Sequence, residues 1–334
     1  MTRHPLELPG RFPLDLFFRR GRLVPAEAPL LHAVILPGRR HRARPRPILL
    51  LVTASARWRR LVRARLAEIE RLEPGRGTVG AQYWNAARAR RYAAQVGTTV
   101  KDDPLFRRVR AEVGRDSSVL DVGAGTGRFS LALAPRVRHV TAVDPSPAML
   151  RVLDREARRL GAHNVHPVVG TWEEVEVAPA DVSVCSYVLP LIEDARGFLA
   201  KLDAATGQRA FVYMNAASAD LLVDALWRHF HGRPRRPSPT YLDAVAVLAE
   251  VGVTAEVEAV EVPTRSHFPT LAAAVKAYRD LLVLPDAPAV RRELHALLAS
   301  WLVEDHGALR PPLRSWPAAI VSWRPRATRA GGPH

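Results

Sequence analysis

The chain has 334 residues, 48% of them hydrophobic, which is ample for one large domain with or without an appendage and too apolar for a disordered chain. Its single cysteine, Cys185, excludes an internal disulfide; no Cys/His spacing suggests a metal site, and no apolar run reaches the roughly eighteen residues that span a bilayer, so a reducing cytoplasm is the expected compartment. The formal net charge of +16 points first to nucleic acid, yet seventeen arginines against six acids in residues 1–77 hold about +11 of it, and lysine occurs only at Lys101, Lys201 and Lys276, a bias that reads as composition rather than a binding groove.

Residues 1–77 are rich in Pro and Arg, as in GRRHRARPRP. Their apolar pieces, such as RFPLDLFF and PLLHAVIL, are too short and too broken by Pro to build a core. The expectation is a largely disordered extension with one helix over 57–72, followed by the folded domain over 78–326 and a disordered tail over 327–334. The stretch ILLLVTASA mimics the core and cleavage site of a signal peptide, but it is internal and short, and WRRLVRAR follows at once. An upstream start codon, or an arginine-rich arm for RNA or anionic lipid, are the other readings of this segment.

Helices are expected over 83–96 and from Asp103 or Pro104, a Pro-opened start. Residues 118–133, SVLDVGAGTGRFSLAL, then read as a buried parallel strand, a glycine turn and a helix. Gly123, Gly125 and Gly127 lack Cβ, so backbone can approach a ligand closely, and the helix that follows presents free N–H groups to it. Asp121 stands two residues before Gly123, and the third glycine comes one step too early for the dinucleotide pattern G-x-G-x-x-G. A second strand at 140–143 ends in Asp144, about twenty residues past the first glycine, where an acid accepts from ribose hydroxyls.

VLDVGAGTGRF with AVDPSPAML resembles the first two motifs of the class I S-adenosylmethionine-dependent methyltransferases. The resemblance implies a Rossmann-like α/β fold: a seven-stranded, mostly parallel sheet with helices on both faces, an antiparallel last strand and a helical lid insertion. It implies S-adenosyl-L-methionine as cofactor, held by Asp121, Gly123, Ala124, Gly125, Gly127, Asp144, Pro145 and Met149. It also places the helices before the first strand over the cofactor, with Tyr83, Trp84 and Tyr92 near the methyl acceptor or packed on the sheet. After the third strand, NVHPVVG, the chain departs from the family: Thr171 stands where an acid is usual. Trp172 as a stacking face for the purine and Glu173 as a displaced acid are the candidates, against a surface turn with a packed Trp.

The fourth strand, 181–186, runs out at Ser186, expected to face the cofactor, and Tyr187, expected to face the acceptor. Cys185, inside that strand, reads as a buried inert thiol. Neither the Asn/Asp-Pro-Pro-aromatic signature of amino-methyltransferases nor a Pro-Cys nucleophile is present here. Helix, fifth strand ending at Asn215, helix and the basic loop RPRRPSP follow. Then come a helix ending at Gly252, a sixth strand, two helices taken as a lid, the second running through 290–307, and a seventh strand. Asn215 and His267 are further acceptor-facing candidates; His229, His231 and His267 are the only candidates for a general base, and no catalytic residue is assigned. The first hypothesis is methyl transfer to a small molecule. An RNA or protein methyltransferase guided by the basic arm, and a non-catalytic cofactor-binding module, are the alternatives; the oligomeric state is not legible.

Overall fold

The computed structural model describes residues 18–19, 22–23, 52–77, 83–96, 100, 102–216, 223–264, 266–313 and 315–326. Seven strands form one sheet: β1 (Ser118–Val122), β2 (His139–Asp144), β3 (Val165–Val169), β4 (Ala180–Ser186), β5 (Thr206–Asn215), β6 (Glu256–Pro263) and β7 (Ser315–Trp323). Their spatial order is β3-β2-β1-β4-β5-β7-β6, and β7 alone runs antiparallel, wedged between β5 and β6. This is the Rossmann-like architecture expected from the sequence. Two short antiparallel pairs lie outside it, Phe18–Arg19 with Arg22–Leu23 and Val303–Asp305 with Ala308–Arg310.

Alternation along the strands sends successive side chains to opposite faces. Val119, Val184 and Phe211 join one core with helices α3 (Pro104–Glu112), α4 (Arg128–Leu133) and α5 (Pro147–Leu160). Leu120, Cys185 and Val212 join the other core, with α1 (Ala54–Leu72), α6 (Ala195–Ala204) and α8 (Tyr241–Glu250). Local sequence sets the helix ends. Asp103 and Ser146 accept from backbone N–H groups of the first turns of α3 and α5, Gly161 closes α5 in the left-handed region, and Thr240 with Asp243 makes a reciprocal cap on α8.

One correction concerns α1. Residues 54–72 were expected to lie in an extension outside the folded domain, yet Trp58 and Val62 are fully buried in the second core. The Trp58 indole donates to the Ile192 carbonyl at 2.7 Å, and Ala54 and Ser55 donate to the Glu250 carboxylate. The helix is one of three covering that face. Of the expected extension, residues 1–17, 20–21 and 24–51 lie outside the described residues, as does the expected tail at 327–334.

A third cluster unites the helices of the insertion expected as a lid. It joins α7 (Asp224–His231), α9 (Leu271–Leu281) and α10 (Pro288–Trp301) through Trp227, Phe268, Tyr278, Leu294 and Trp301. The chain enters this unit after Asn215 and Pro263 and returns at Ser315, and all three points lie at the edge where the parallel strands have their carboxyl ends. α10 stops at Trp301 instead of continuing to 307. His306 and Gly307 both take positive φ, 49° and 76°, which is the geometry of a tight hairpin turn, and the chain doubles back as a strand pair.

Candidate cofactor and acceptor site

The strand order reverses between β1 and β4, and the crevice at their carboxyl ends is where doubly wound sheets bind ligands. The glycine loop fills one side of it. Gly123, Gly125 and Gly127 all have positive φ (75°, 56° and 87°), and a Cβ on Gly123 would stand 2.1 Å from Val188 Cγ2. The loop after β4 therefore touches the loop after β1, which only a glycine allows. The N–H groups of Gly123 and Ala124 donate to the Val143 carbonyl, pinning the loop to β2.

Two carboxylates brace this loop from inside. Asp121, 2% exposed, accepts from Ser130 N at 3.1 Å and Ser130 Oγ at 2.6 Å, tying β1 to α4 beneath the glycines. Burial pushes its pKa up to about 6 against the lowering effect of the Ser130 bonds, and nearby Asp144 adds to the rise. Asp144, at the tip of β2, accepts from Gly125 N at 2.9 Å on Oδ2 and from Ser146 N at 2.8 Å on Oδ1. Burial raises its pKa as well, opposed by those two bonds. A carboxylate has about four acceptor positions, so these backbone bonds leave capacity for hydroxyl donors. The same burial pushes the Cys185 thiol up to about 12, the inert state expected for it.

Above this floor lies α2 (Ala86–Val96), joined to the N-terminal half of α5. Met149, Ala148 and Val152 of α5 pack with Ala89, Trp84 and Tyr92, and Ser146 Oγ donates to the Trp84 carbonyl at 2.8 Å. Trp84 makes edge contacts with both Tyr83 and Tyr92. Tyr83 in turn lies under the guanidinium groups of Arg88 and Arg76, and both arginines reach Asp280 of the lid helix α9. The aromatic segment thus links the α5 end of the site to the lid. Pro145 is half-buried between Asp144 and Ser146, and Ala124 is buried.

Ser186 pairs with Tyr213 at the end of β4, and Tyr187 turns into the left-handed region at φ 59°, an unusual conformation for a residue with a bulky side chain. Its ring lies 5.0 Å from that of buried Tyr213, whose hydroxyl burial holds protonated. Asn215 sits at the same edge, half-buried and paired in register with Ala318.

Other expected residues are placed elsewhere. Trp172 offers no face to a purine: it is 3% exposed, donates to the Phe198 carbonyl at 3.2 Å, and has Lys201 Nζ 4.9 Å over its ring. The packed-Trp alternative holds because α6 covers the indole. Glu173 is exposed beside it. His229 meets Glu293 at 2.8 Å and His231 meets the Leu282 carbonyl at 2.8 Å, so both fasten α7 to the rest of the lid. His267 is exposed next to Phe268, which bridges Leu309.

Arg128 is the residue that sequence reasoning passed over. It opens α4 directly after Gly127, ion-pairs with the buried Asp103 cap of α3, and keeps a buried Nε with no partner among the described residues. The signal was a cation at the first helical position after a glycine loop. A left-handed glycine turn, a braced acid at the β2 tip and an unpartnered guanidinium N–H together fit a ligand carrying ribose hydroxyls and a carboxylate.

Sheet order, the glycine loop after β1 and the acid closing β2 are those of the class I S-adenosylmethionine-dependent methyltransferases. Residues 119–207, from β1 to the start of β5, match the family model described as a methyltransferase domain. The uncharacterized methyltransferase YcgJ of Bacillus subtilis is 30% identical over 132 residues, covering 38% of this chain and 52% of that protein. Its solved structure aligns over 66% of this chain and 96% of its own with a TM-score of 0.45 at 18% identity. The malonyl-[acyl-carrier protein] O-methyltransferase of Serratia marcescens is 35% identical over 119 residues, 34% of this chain and 44% of that protein. A 50-residue segment is 52% identical to the 23S rRNA (uracil(1939)-C(5))-methyltransferase RlmD of Chromohalobacter salexigens, covering 15% of this chain and 10% of that one. The chain spans about half the length of the first two relatives and a tenth of the third. No helix among the described residues is long and apolar enough to cross a membrane.

Proposed function

We propose that the chain transfers a methyl group from S-adenosylmethionine to a small-molecule acceptor. The observation that carries the reading is the braced loop, with Asp144 holding Gly125 N at the sheet's switch point. In this reading Asp144 accepts from the ribose hydroxyls, Arg128 Nε donates to the carboxylate of the methionine part, and Met149 and Ala124 line the base. When bound, the cofactor supplies an electrophilic methyl on a sulfonium, so that an acceptor lone pair forms the new bond as the carbon–sulfur bond breaks toward sulfur. In this reading the chain's part is to align that displacement and exclude water, with Tyr187, Asn215 and the inserted helices taken as the acceptor side because Tyr187 and Asn215 lie at the carboxyl-end edge of the sheet. No residue is needed as a base for an acceptor that is already nucleophilic.

A small acceptor is favoured because the inserted helices are joined to the sheet at the carboxyl-end edge, after Asn215 and Pro263 and before Ser315. The basic RPRRP loop, the feature suggesting an RNA guide, is occupied internally: Arg233 pairs with buried Glu68, Arg236 N donates to the same carboxylate, and Arg235 stacks on Trp227.

The test is calorimetric titration with S-adenosylhomocysteine and with 5′-methylthioadenosine, which lacks the carboxylate. Asp144→Ala weakens both by roughly 1–3 kcal/mol, the range for a lost hydrogen bond to a charged group. Arg128→Lys keeps the charge opposite Asp103 but loses the guanidinium fork, and weakens only the former ligand. Unchanged affinities in both variants refute the site. Labelled-methyl transfer in extracts separates the enzyme from a module that only binds.

A further inference from the structure

The lid carries a second concave site, a groove of about 710 Å³ between α9 and α10. On α9, Ala272, Val275, Lys276 and Arg279 recur at helical spacing and so share one face. On α10, Arg291, Arg292 and His295 face them, and Asp286 stands in the connection between the helices. Asp280, which ties α9 to Arg88, is not among the groove's lining residues, and neither is any residue of the aromatic cap or the glycine loop.

Charge in the groove is unbalanced. Arg279 and Arg291 both pair with Asp286, and its carboxyl is held below the ordinary range by Arg279 first and Lys276 last. Lys276 and Arg292 make no ion pair among the described residues. Four cations therefore line the groove with a single carboxylate among them, beside the apolar Ala272 and Val275. Like charges gathered this way repel one another, and an anion seated among them relieves that repulsion. A single-stranded nucleic acid wants an extended basic track with several aromatic platforms, and the lining here holds no Phe, Tyr or Trp and a single imidazole, His295. A volume of this size suits a small molecule.

We propose that this groove binds a small amphiphilic anion, an apolar body ending in a phosphate, sulfate or carboxylate, with the body on Ala272 and Val275 and the anionic head between Lys276 and Arg292. The site is separate from the cofactor crevice and does not depend on the transfer activity.

The test is calorimetric titration of the full chain with n-octyl phosphate, alongside inorganic phosphate and octyl glucoside. Octyl phosphate binds one saturable site that weakens as salt rises from about 50 to 200 mM, as screening of exposed charge requires. Lys276→Glu with Arg292→Glu weakens it at least tenfold. Ala272→Trp, which fills the apolar part of the groove from an exposed position, does the same while unchanged thermal melting shows both proteins folded. Inorganic phosphate and octyl glucoside each bind at least tenfold more weakly, since each carries half of the recognition. Absence of octyl phosphate binding, equal affinity for inorganic phosphate, or insensitivity to both variants overturns the proposal. So does variant-sensitive binding of phosphatidylglycerol vesicles or a single-stranded RNA in place of octyl phosphate, which would assign the groove to a membrane surface or to nucleic acid.

Discussion

Asp121 makes a stability prediction whose sign follows from its burial. Its pKa rises from 3.8 to about 6 in the folded chain. Between those values the native state holds a proton that the unfolded chain has released, so stability falls as pH rises through this window and is level on either side. At 1.36 kcal/mol per pH unit the rise corresponds to ~3 kcal/mol. Asp121→Asn removes the titration but keeps an oxygen to accept from Ser130 N and Oγ. Urea unfolding of both proteins at intervals from pH 3 to 8 isolates Asp121 together with its coupling to nearby Asp144, because the remaining titrations cancel in the difference. The stability of the parent chain minus that of the variant should decline by ~3 kcal/mol as pH rises from about 3 to 8, most of it between the two pKa values. A difference that is flat, or that grows with pH, would mean that Asp121 is not a desolvated carboxylate and that the brace under the glycine loop is wrongly described.

Trp58→Ala tests whether α1 belongs to the domain core. Truncating a fully buried Trp that donates to Ile192 should cost ~3–5 kcal/mol in urea unfolding, with the whole transition shifting together. A separate early transition, or no change, would return α1 to an appendage. Gly123→Ala places a Cβ 2.1 Å from Val188 Cγ2 at a φ of 75° and should lower S-adenosylhomocysteine affinity at least tenfold. Adding Val188→Ala removes the clash but leaves the left-handed strain of roughly 1–2 kcal/mol, so affinity returns only in part. Full recovery, or no initial loss, contradicts the contact between the two loops.

The donor side of the site was legible because its information is local. Asp121, the three glycines and Asp144 lie within one β-loop-α-β unit, where spacing dictates both backbone geometry and which ends meet. Trp172 was ambiguous because its environment is set by α6, whose Phe198 carbonyl takes the indole proton 26 residues further on. Pattern alone shows a half-apolar turn there. For α1 the deciding partner is Ile192, 134 residues away from Trp58, and an Arg-rich amphipathic helix beside Pro-rich sequence gives no hint of it. The end of α10 was misread because Val303–Asp305 continues a helical composition; the break comes from His306 and Gly307 turning left-handed, which a periodic pattern does not register. Arg128 was hidden for a related reason. Its side chain gains meaning only opposite Asp103, which sequence reading had used up as a helix cap.

This division between local and distant information has a chemical counterpart. Chain entry and exit to the lid occur at Asn215, Pro263 and Ser315, so every lid residue is placed by strands β5 to β7 rather than by the glycine unit. The lid is then tied back to the aromatic segment over α5 through Asp280 with Arg76 and Arg88, a contact between elements about 190 residues apart. Exposed ion pairs contribute little individually, but Arg76 is 6% exposed and stacks on Tyr83 while Asp280 is 31% exposed, so this tie is partly shielded from solvent and salt. Motion of α9 away from the sheet must therefore disturb Tyr83 and Trp84, and with them the helix that carries Met149. Under the proposed function, these contacts tie the position of the inserted helices to the packing around Met149, so a shift of α9 is felt at the proposed cofactor crevice.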